Sequence, residues 1–122
     1  MIAVAGGMGS LLRYTVAGWG QKLAGGSFPL GTLIVNVLGC LAIGLLAAAL
    51  SGRFLLREEL RIALMVGLLG GFTTFSTFGL ETFGLLNDGQ FARAAINVVV
   101  SVLAGVGAVW LGYRLAERWL GV

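Results

Sequence analysis

The chain has 122 residues, of which 58% are hydrophobic and only 11% are charged. Because soluble domains carry about 25% charged residues, this chain has too few polar side chains to cover a surface in water, and we predict a single membrane-embedded domain, residues 1–122. There is no histidine, one cysteine, and a net charge of +3 without a basic stripe, so we expect neither an enzyme nor a nucleic-acid partner.

Four apolar segments are separated by short polar connections, and each is about 20 residues long, the length that a helix needs to cross the hydrocarbon core. The sequence therefore predicts an all-helical protein with four transmembrane spans, at about residues 2–19, 30–50, 61–85 and 91–113. The first span is the weakest, because it contains Arg13 and several glycines. A charge within a span is either functional or extends toward the interface, and both interpretations of Arg13 stay open. Asn87-Asp88-Gly89 predicts a turn before the fourth span.

The second and fourth spans carry polar or small side chains every four residues, which places them on one face of each helix. These are Thr32, Asn36 and Cys40 on the second span, and Asn97, Ser101 and Gly105 on the fourth. One interpretation is that the asparagines hydrogen-bond between helices and hold the bundle together. The other is that the polar faces line a path across the membrane, which a third polar stretch on the third span favours.

That third stretch, residues 70–78, reads Gly-Gly-Phe-Thr-Thr-Phe-Ser-Thr-Phe. It is costly in an apolar span, because a membrane offers no water to freed backbone and hydroxyl groups. Gly70-Gly71 is interpreted either as a helix interruption whose carbonyl oxygens bind a cation or as a close-packing surface. Phe75 and Phe78 share a helical face, either for packing or beside the path. Hydroxyls, amides and the weakly positive edges of aromatic rings suit a small anion.

Four pieces of the sequence resemble the Fluc family of bacterial fluoride channels, also called CrcB proteins, and the resemblance covers essentially the whole chain. The pieces are residues 6–14 (GGMGSLLRY), 31–39 (GTLIVNVLG) and 70–78, and the pair Asn97 and Ser101. The resemblance implies four helices per chain with a broken third helix, assembled as an antiparallel dual-topology homodimer with two pores in the cytoplasmic membrane. It also implies a sodium ion at the dimer centre, held by backbone carbonyls at the positions matching Gly70 and Thr73.

The same resemblance implies roles for individual side chains. Phe75 and Phe78 match phenylalanines whose ring edges contact fluoride, and Asn36 matches a pore asparagine that donates to the ion. The other matches are a hydroxyl track at Ser76 and Thr77, a fourth-helix pore serine at Ser101, a further pore position at Thr32, and Arg13, to which a structural or electrostatic role is assigned. Asn97 stands where some relatives carry tyrosine, so only a structural or electrostatic role is assigned to it.

The favoured hypothesis is a passive channel that lets fluoride leave the cell down its electrochemical gradient and so gives fluoride resistance. A narrow path must replace the hydration shell of the ion with other donors, as a selectivity filter does. The alternative is a small proton-coupled multidrug exporter of the four-span dual-topology type, which needs a membrane-embedded carboxylate. The first span offers Arg13 and no acid, and Glu81 lies toward the far end of the third span. A helical scaffold without transport would leave the polar groups within the spans unexplained.

Overall fold

The computed structural model of the chain describes residues 1–26, 28–51 and 57–121, with the side chains of Ser51 and Ser76 outside that description. Every regular element in these ranges is helical, which confirms the all-helical class. In chain order the elements are α1 (Ile2–Ala24), α2 (Leu30–Ser51), α3 (Glu58–Ile62), a π-helical segment (Ala63–Leu69), α4 (Gly70–Phe72), α5 (Phe75–Asn87) and α6 (Phe91–Leu120). The run from α3 to α5 is one long helix that is interrupted once.

Three helical stretches in the described ranges are long and apolar enough to cross a membrane, namely Leu30–Leu50, Glu58–Asn87 and Phe91–Leu120. They coincide with the second, third and fourth predicted spans, although α6 continues beyond residue 113 to Leu120. With 23 residues α1 is also long enough, but it is less apolar than these three. The first transmembrane span therefore stays a prediction.

Helices α2 and α6 form the most extensive helix pair, and glycines allow their close contact. A Cβ atom on Gly44 would collide with the carbonyl group of Val109, and one on Gly112 would collide with the carbonyl of Leu41. Each helix thus places a glycine against the backbone of the other. This is the way in which small residues let membrane helices approach each other, as the glycine-rich composition predicts.

The glycines of α1 serve the third helix in the same manner. A Cβ atom on Gly9 would meet the carbonyl of Leu68 and the amide of Phe72, and one on Gly71 would meet the carbonyl of Gly6. The packing interpretation of the glycine pair at 70–71 therefore holds for Gly71. The first motif of the sequence, residues 6–14, is therefore a packing surface for the part of the third helix just before its interruption.

The interruption itself lies at Thr73 and Thr74, which are extended, with φ −92° and ψ 158° for Thr73 and φ −154° and ψ 130° for Thr74. Gly70 and Gly71 are helical, so of the two interpretations of this glycine pair the one that makes it the interruption is wrong, and the break begins at Thr73. The reason is that a side chain from outside the helix, that of Asn36, bonds the backbone of Thr74, as described below. A break near the middle of the third helix is nevertheless present.

The connection between α5 and α6 follows its sequence signal. Gly89 has a left-handed φ of 76°, which favours glycine, and the N–H of Gln90 donates to the carbonyl of Leu85 at 2.8 Å. This confirms the predicted turn at 87–89. It also brings the end of α5 beside the start of α6, so that these two helices run antiparallel and polar side chains on them can meet.

Candidate functional site

Asn36 of α2 holds the interruption of the third helix through two hydrogen bonds to one residue. Its Nδ2 donates to the carbonyl of Thr74 at 3.3 Å, and its Oδ1 accepts from the N–H of Thr74 at 3.1 Å. One amide side chain therefore bonds both the N–H and the carbonyl of Thr74, and the N–H is the group that loses its helical acceptor at the break. In a membrane such groups otherwise cost several kcal/mol each. The predicted polar face of the second span thus includes a clamp on the backbone of the third.

The first turn of α5 begins with a side-chain cap. The Oγ1 of Thr74 accepts from the N–H of Thr77 at 3.4 Å and lies 3.4 Å from the Oγ1 of Thr77, to which it donates. Threonine is a common N-cap residue because its hydroxyl satisfies one of the free N–H groups of the first turn. Thr74 is therefore tied to α2 through its backbone and to α5 through its side chain.

The clamp and the cap together leave two carbonyls without their helical donors. In an unbroken helix the N–H of Thr74 would bond the carbonyl of Gly70, and the N–H of Thr77 would bond the carbonyl of Thr73. Here the first donates to Asn36 and the second to the Thr74 hydroxyl. The two carbonyls predicted as sodium ligands are thus among the four, those of residues 70–73, that the end of the helix at the break leaves without helical donors, and oxygen donors of this kind suit a hard cation.

A cleft of 280 Å³ opens beside these carbonyls. Its lining includes Asn36, Cys40, Gly70, Thr73 and Phe75. Gly39, also in the lining, leaves room for Thr73, because a Cβ atom at position 39 would collide with the Thr73 methyl group. This small cleft is therefore lined by the two residues predicted to bind sodium, by the predicted pore asparagine and by one of the predicted pore phenylalanines.

A second, larger cleft of 820 Å³ lies on the other side of the break, and Thr74 lines both. Its polar lining includes Arg13, Lys22, Thr32, Thr77 and Glu81. Within the described ranges, two buried side-chain atoms in this cleft have no hydrogen-bond partner, Nε of Arg13 and Oε1 of Glu81. Arg13 is therefore half-buried with its Nε against the cleft, and both interpretations of this residue stay open.

The two predicted pore phenylalanines are in contact in the first turn of α5. Their ring centroids lie 5.6 Å apart with a 42° angle between the rings, so they share a face as predicted. Phe75 is 82% exposed at the surface of the single chain, while Phe78 is half-buried. The hydroxyl of Ser76 falls outside the described side chains, and its place in the hydroxyl track stays a prediction.

The predicted residues of the fourth span form a separate cluster with α5. Asn97 is only 1% exposed; its Nδ2 donates to Oγ1 of Thr82 at 2.9 Å, and its Oδ1 accepts from the hydroxyl of Ser101 at 3.4 Å. Asn97 thus forms a hydrogen bond between two helices, α6 and α5. Gly105 packs near Cys40 of α2 and is not part of this hydrogen-bonded cluster.

Three residues of these clusters were not singled out as site residues from the sequence: Thr74, Thr82 and Glu81. A signal for the threonines was present, because Thr74, Phe78 and Thr82 follow each other at the same four-residue spacing that marked the second and fourth spans. The sequence marks Glu81 only as an acid toward the far end of the third span. Its position in the cleft of Arg13 depends on tertiary packing.

The fold and these clusters define a multi-pass α-helical membrane protein whose third helix is interrupted by a polar segment. A family model described as "CrcB-like protein, Camphor Resistance (CrcB)" matches residues 1–113 of the chain. The chain belongs to this CrcB family, as the sequence motifs suggested.

Similar proteins cover almost the whole chain. A "Fluoride-specific ion channel FluC" of Geobacter metallireducens is 50% identical over 117 residues, which are 96% of this chain and 94% of that protein. Proteins of the same description from Chloroflexus aurantiacus and Nitratidesulfovibrio vulgaris are 48% identical over 120 residues and 47% identical over 112 residues. These alignments cover 98% and 92% of this chain, and 94% and 90% of the two proteins.

Proposed function

We propose that this protein is a fluoride-selective channel that exports fluoride passively across the cytoplasmic membrane and so gives fluoride resistance. Membership of the CrcB family and near-complete alignment with proteins described as fluoride-specific ion channels support this function. The structural observation that carries it is the polar break in the third helix, with a cleft on either side of Thr74. A channel of this kind catalyses no covalent reaction.

The larger cleft suits the entry of a small anion. It contains the guanidinium of Arg13 and the ammonium of Lys22 against one carboxylate, Glu81, and it reaches the hydroxyls of Thr32 and Thr77. The buried Nε–H of Arg13, which has no partner among the described residues, is a donor that an anion can satisfy. Positive charge in a cleft with apolar walls raises the local concentration of anions.

Beyond this cleft the ion meets groups that replace its water. Asn36 uses one N–H on Thr74, and its amide carries a second, so the residue can clamp the break and donate to fluoride at once. The ring edges of Phe75 and Phe78, the hydroxyls of Ser76 and Thr77, and Ser101 on α6 supply further contacts. All of these are donors or positive ring edges, which suits an anion that holds its hydration shell tightly.

The function is tested with purified protein in liposomes loaded with potassium fluoride or potassium chloride, with valinomycin added to start anion efflux. We expect fast fluoride efflux and little chloride efflux, both recorded with ion-selective electrodes. Protein that is folded by size-exclusion chromatography and thermal unfolding, yet gives no fluoride efflux above that of empty liposomes, would refute the channel.

The multidrug exporter is not supported by the family. The buried carboxylate oxygen of Glu81 is the one feature that such an exporter could use. However, Glu81 shares its cleft with Arg13 and Lys22, and these charges disfavour a cationic substrate. An acid-driven uptake of a drug cation in the same liposomes would favour the exporter over the channel.

Two chains, arranged as an antiparallel dual-topology homodimer with two pores, would complete the sites that one chain leaves open. The carbonyls of Gly70 and Thr73 are too few to coordinate a sodium ion alone, and a second copy related by two-fold symmetry supplies the same pair. Gly70 and Phe75 both lie on the exposed surface of the single chain, where a second copy can cover them. The sodium ion would then be structural and would lie at the dimer interface, within the break.

This assembly predicts that sodium stabilises the dimer. A ligand at a hundredfold excess over its Kd stabilises the bound state by about 2.7 kcal/mol, so replacing sodium by N-methyl-D-glucamine should increase dimer dissociation by about a hundredfold. Dissociation is measured by single-molecule photobleaching of labelled protein at decreasing density in liposomes. Equal dissociation in the two cations would reject the sodium site, while fluoride efflux in the same liposomes would leave the channel itself intact.

A further inference from the structure

A continuous chain of hydrogen bonds runs from α6 to the backbone of Phe78. The hydroxyl of Ser101 donates to Oδ1 of Asn97 at 3.4 Å, and Nδ2 of Asn97 donates to Oγ1 of Thr82 at 2.9 Å. The hydroxyl of Thr82 in turn donates to the carbonyl of Phe78 at 2.8 Å. Nothing in the proposed ion path assigns a role to Thr82, and Asn97 is too deeply buried to line that path.

The direction of donation along this chain is fixed by chemistry. A threonine hydroxyl has one hydrogen, and at Thr82 that hydrogen is used on the Phe78 carbonyl. Towards α6 Thr82 can then only accept, so the amide of Asn97 must present its NH₂ group to it and its oxygen to Ser101. The two bonds next to Phe78 are of normal length, whereas the one to Ser101 is long and therefore weak. This series of hydrogen bonds is therefore strong near Phe78 and weak at Ser101.

The segment 74–82, which carries Phe78 at its middle, is hydrogen-bonded at its two ends to two different helices. Asn36 of α2 fixes Thr74, and Asn97 of α6 fixes Thr82, while Phe78 lies midway at four residues from each. A threonine hydroxyl that bonds the carbonyl four residues back also bends its helix slightly. The bond from Thr82 therefore acts on the peptide of Phe78, whose tilt sets the direction in which the ring leaves the helix.

We propose that Thr82 and Asn97 are positioning residues that set the orientation of the Phe78 ring in the fluoride path, acting through the Phe78 carbonyl. The proposal rests on the proposed fluoride channel. The buried amide of Asn97 holds the hydroxyl of Thr82, and the hydroxyl of Thr82 in turn holds the carbonyl of Phe78, in the turn that carries the ring. Ser101, at the weak end, can turn its hydroxyl hydrogen to a passing ion without releasing Phe78.

The test compares two replacements of Thr82 in the full-length protein in liposomes. Thr82→Val keeps the shape but removes the hydroxyl, and Thr82→Ser keeps the hydroxyl. We expect Thr82→Val to lower fluoride efflux by about three- to tenfold, the scale of one or two lost hydrogen bonds, and Thr82→Ser to retain efflux close to wild type. Asn97→Leu should lower fluoride efflux as much as Thr82→Val does. If Asn97→Leu does not fold, the comparison of Thr82→Val with Thr82→Ser tests the proposal by itself.

A second measurement separates positioning from a merely structural role. 4-Fluorophenylalanine is placed at position 78 in separate samples, and its ¹⁹F resonance is recorded in detergent micelles with sodium present. Thr82→Val should shift and broaden this resonance, and Thr82→Ser should restore it. The control is Asn87→Ala, because Asn87 is a polar side chain at the exposed end of the same helix α5 and lines neither cleft, so its loss should leave the resonance unchanged.

Several results would overturn the proposal. An unchanged resonance in Thr82→Val, whatever its efflux, would show that Thr82 does not act through Phe78. Thr82→Ser as impaired as Thr82→Val would show that the hydroxyl is not the relevant group. Absence of fluoride efflux in wild-type liposomes would instead count against the channel, and the ¹⁹F comparison would still decide whether Thr82 orients Phe78.

Discussion

Phe75→Ile and Phe78→Ile are each expected to lower fluoride efflux by about ten- to a hundredfold without dissociating the dimer. In the proposed path each ring edge replaces water around the ion, and a contact with a charged group contributes about 1.5–3 kcal/mol. Isoleucine keeps the apolar volume but has no positive edge to offer. The rings lie 5.6 Å apart, so an ion that leaves one can reach the other, and loss of either interrupts the path.

The matched control for this prediction is Phe83→Ile. Phe83 lies on the same helix α5 and is also exposed on the single chain, but it lines neither cleft and, unlike Phe78, makes no ring contact with Phe75. We expect its efflux to equal that of wild type when measured with the fluoride electrode in the same liposomes. Unchanged efflux in both Phe75→Ile and Phe78→Ile would remove the ring edges from the mechanism, even if the protein proves to be a fluoride channel.

The sequence predicted the interruption of the third helix but not its exact position. The double glycine was an obvious candidate, because glycine weakens helices, yet Gly71 is there to pack against Gly6 of α1. The break occurs where a partner exists for the freed backbone, and that partner is Asn36, 38 residues earlier in the chain. No local pattern reveals such a partner, whereas the polar faces that contain Asn36 and Asn97 were visible as four-residue repeats.

The candidate site divides into three clusters that the sequence could not separate. Periodicity placed Thr32 and Asn36 on one face of α2, but in the structure Thr32 lines the larger cleft and Asn36 the smaller one, with Thr74 between them. The division follows from the path of the third helix, which crosses that face at its break. Arg13 shows the same limit, since only the packed structure places its unpartnered Nε in the cleft with Glu81.

Asn36 has two tasks in this structure, and two substitutions can separate them. Asn36→Leu removes both bonds to Thr74, the one to its N–H and the one to its carbonyl. At about 0.5–1.5 kcal/mol for each bond, we expect the free energy of unfolding to fall by about 1–3 kcal/mol and fluoride efflux to be lost. The measurements are thermal unfolding in detergent, followed by intrinsic fluorescence, and efflux from liposomes.

Asn36→Asp keeps an oxygen that accepts from the N–H of Thr74 but removes the amide hydrogens and adds a negative charge beside the path. It should therefore lose less stability than Asn36→Leu and yet conduct as little fluoride, because a fixed anion repels a mobile one. Asn87→Ala, an exposed asparagine at the end of α5, is the control and should be unchanged in both measurements. If Asn36→Leu unfolds like wild type, the clamp does not hold the break; if Asn36→Asp conducts like wild type, Asn36 does not face the ion. If only the Asn36→Leu result is as expected, Asn36 holds the break in the third helix and does not donate to fluoride. If only the Asn36→Asp result is as expected, Asn36 donates to fluoride and does not hold the break.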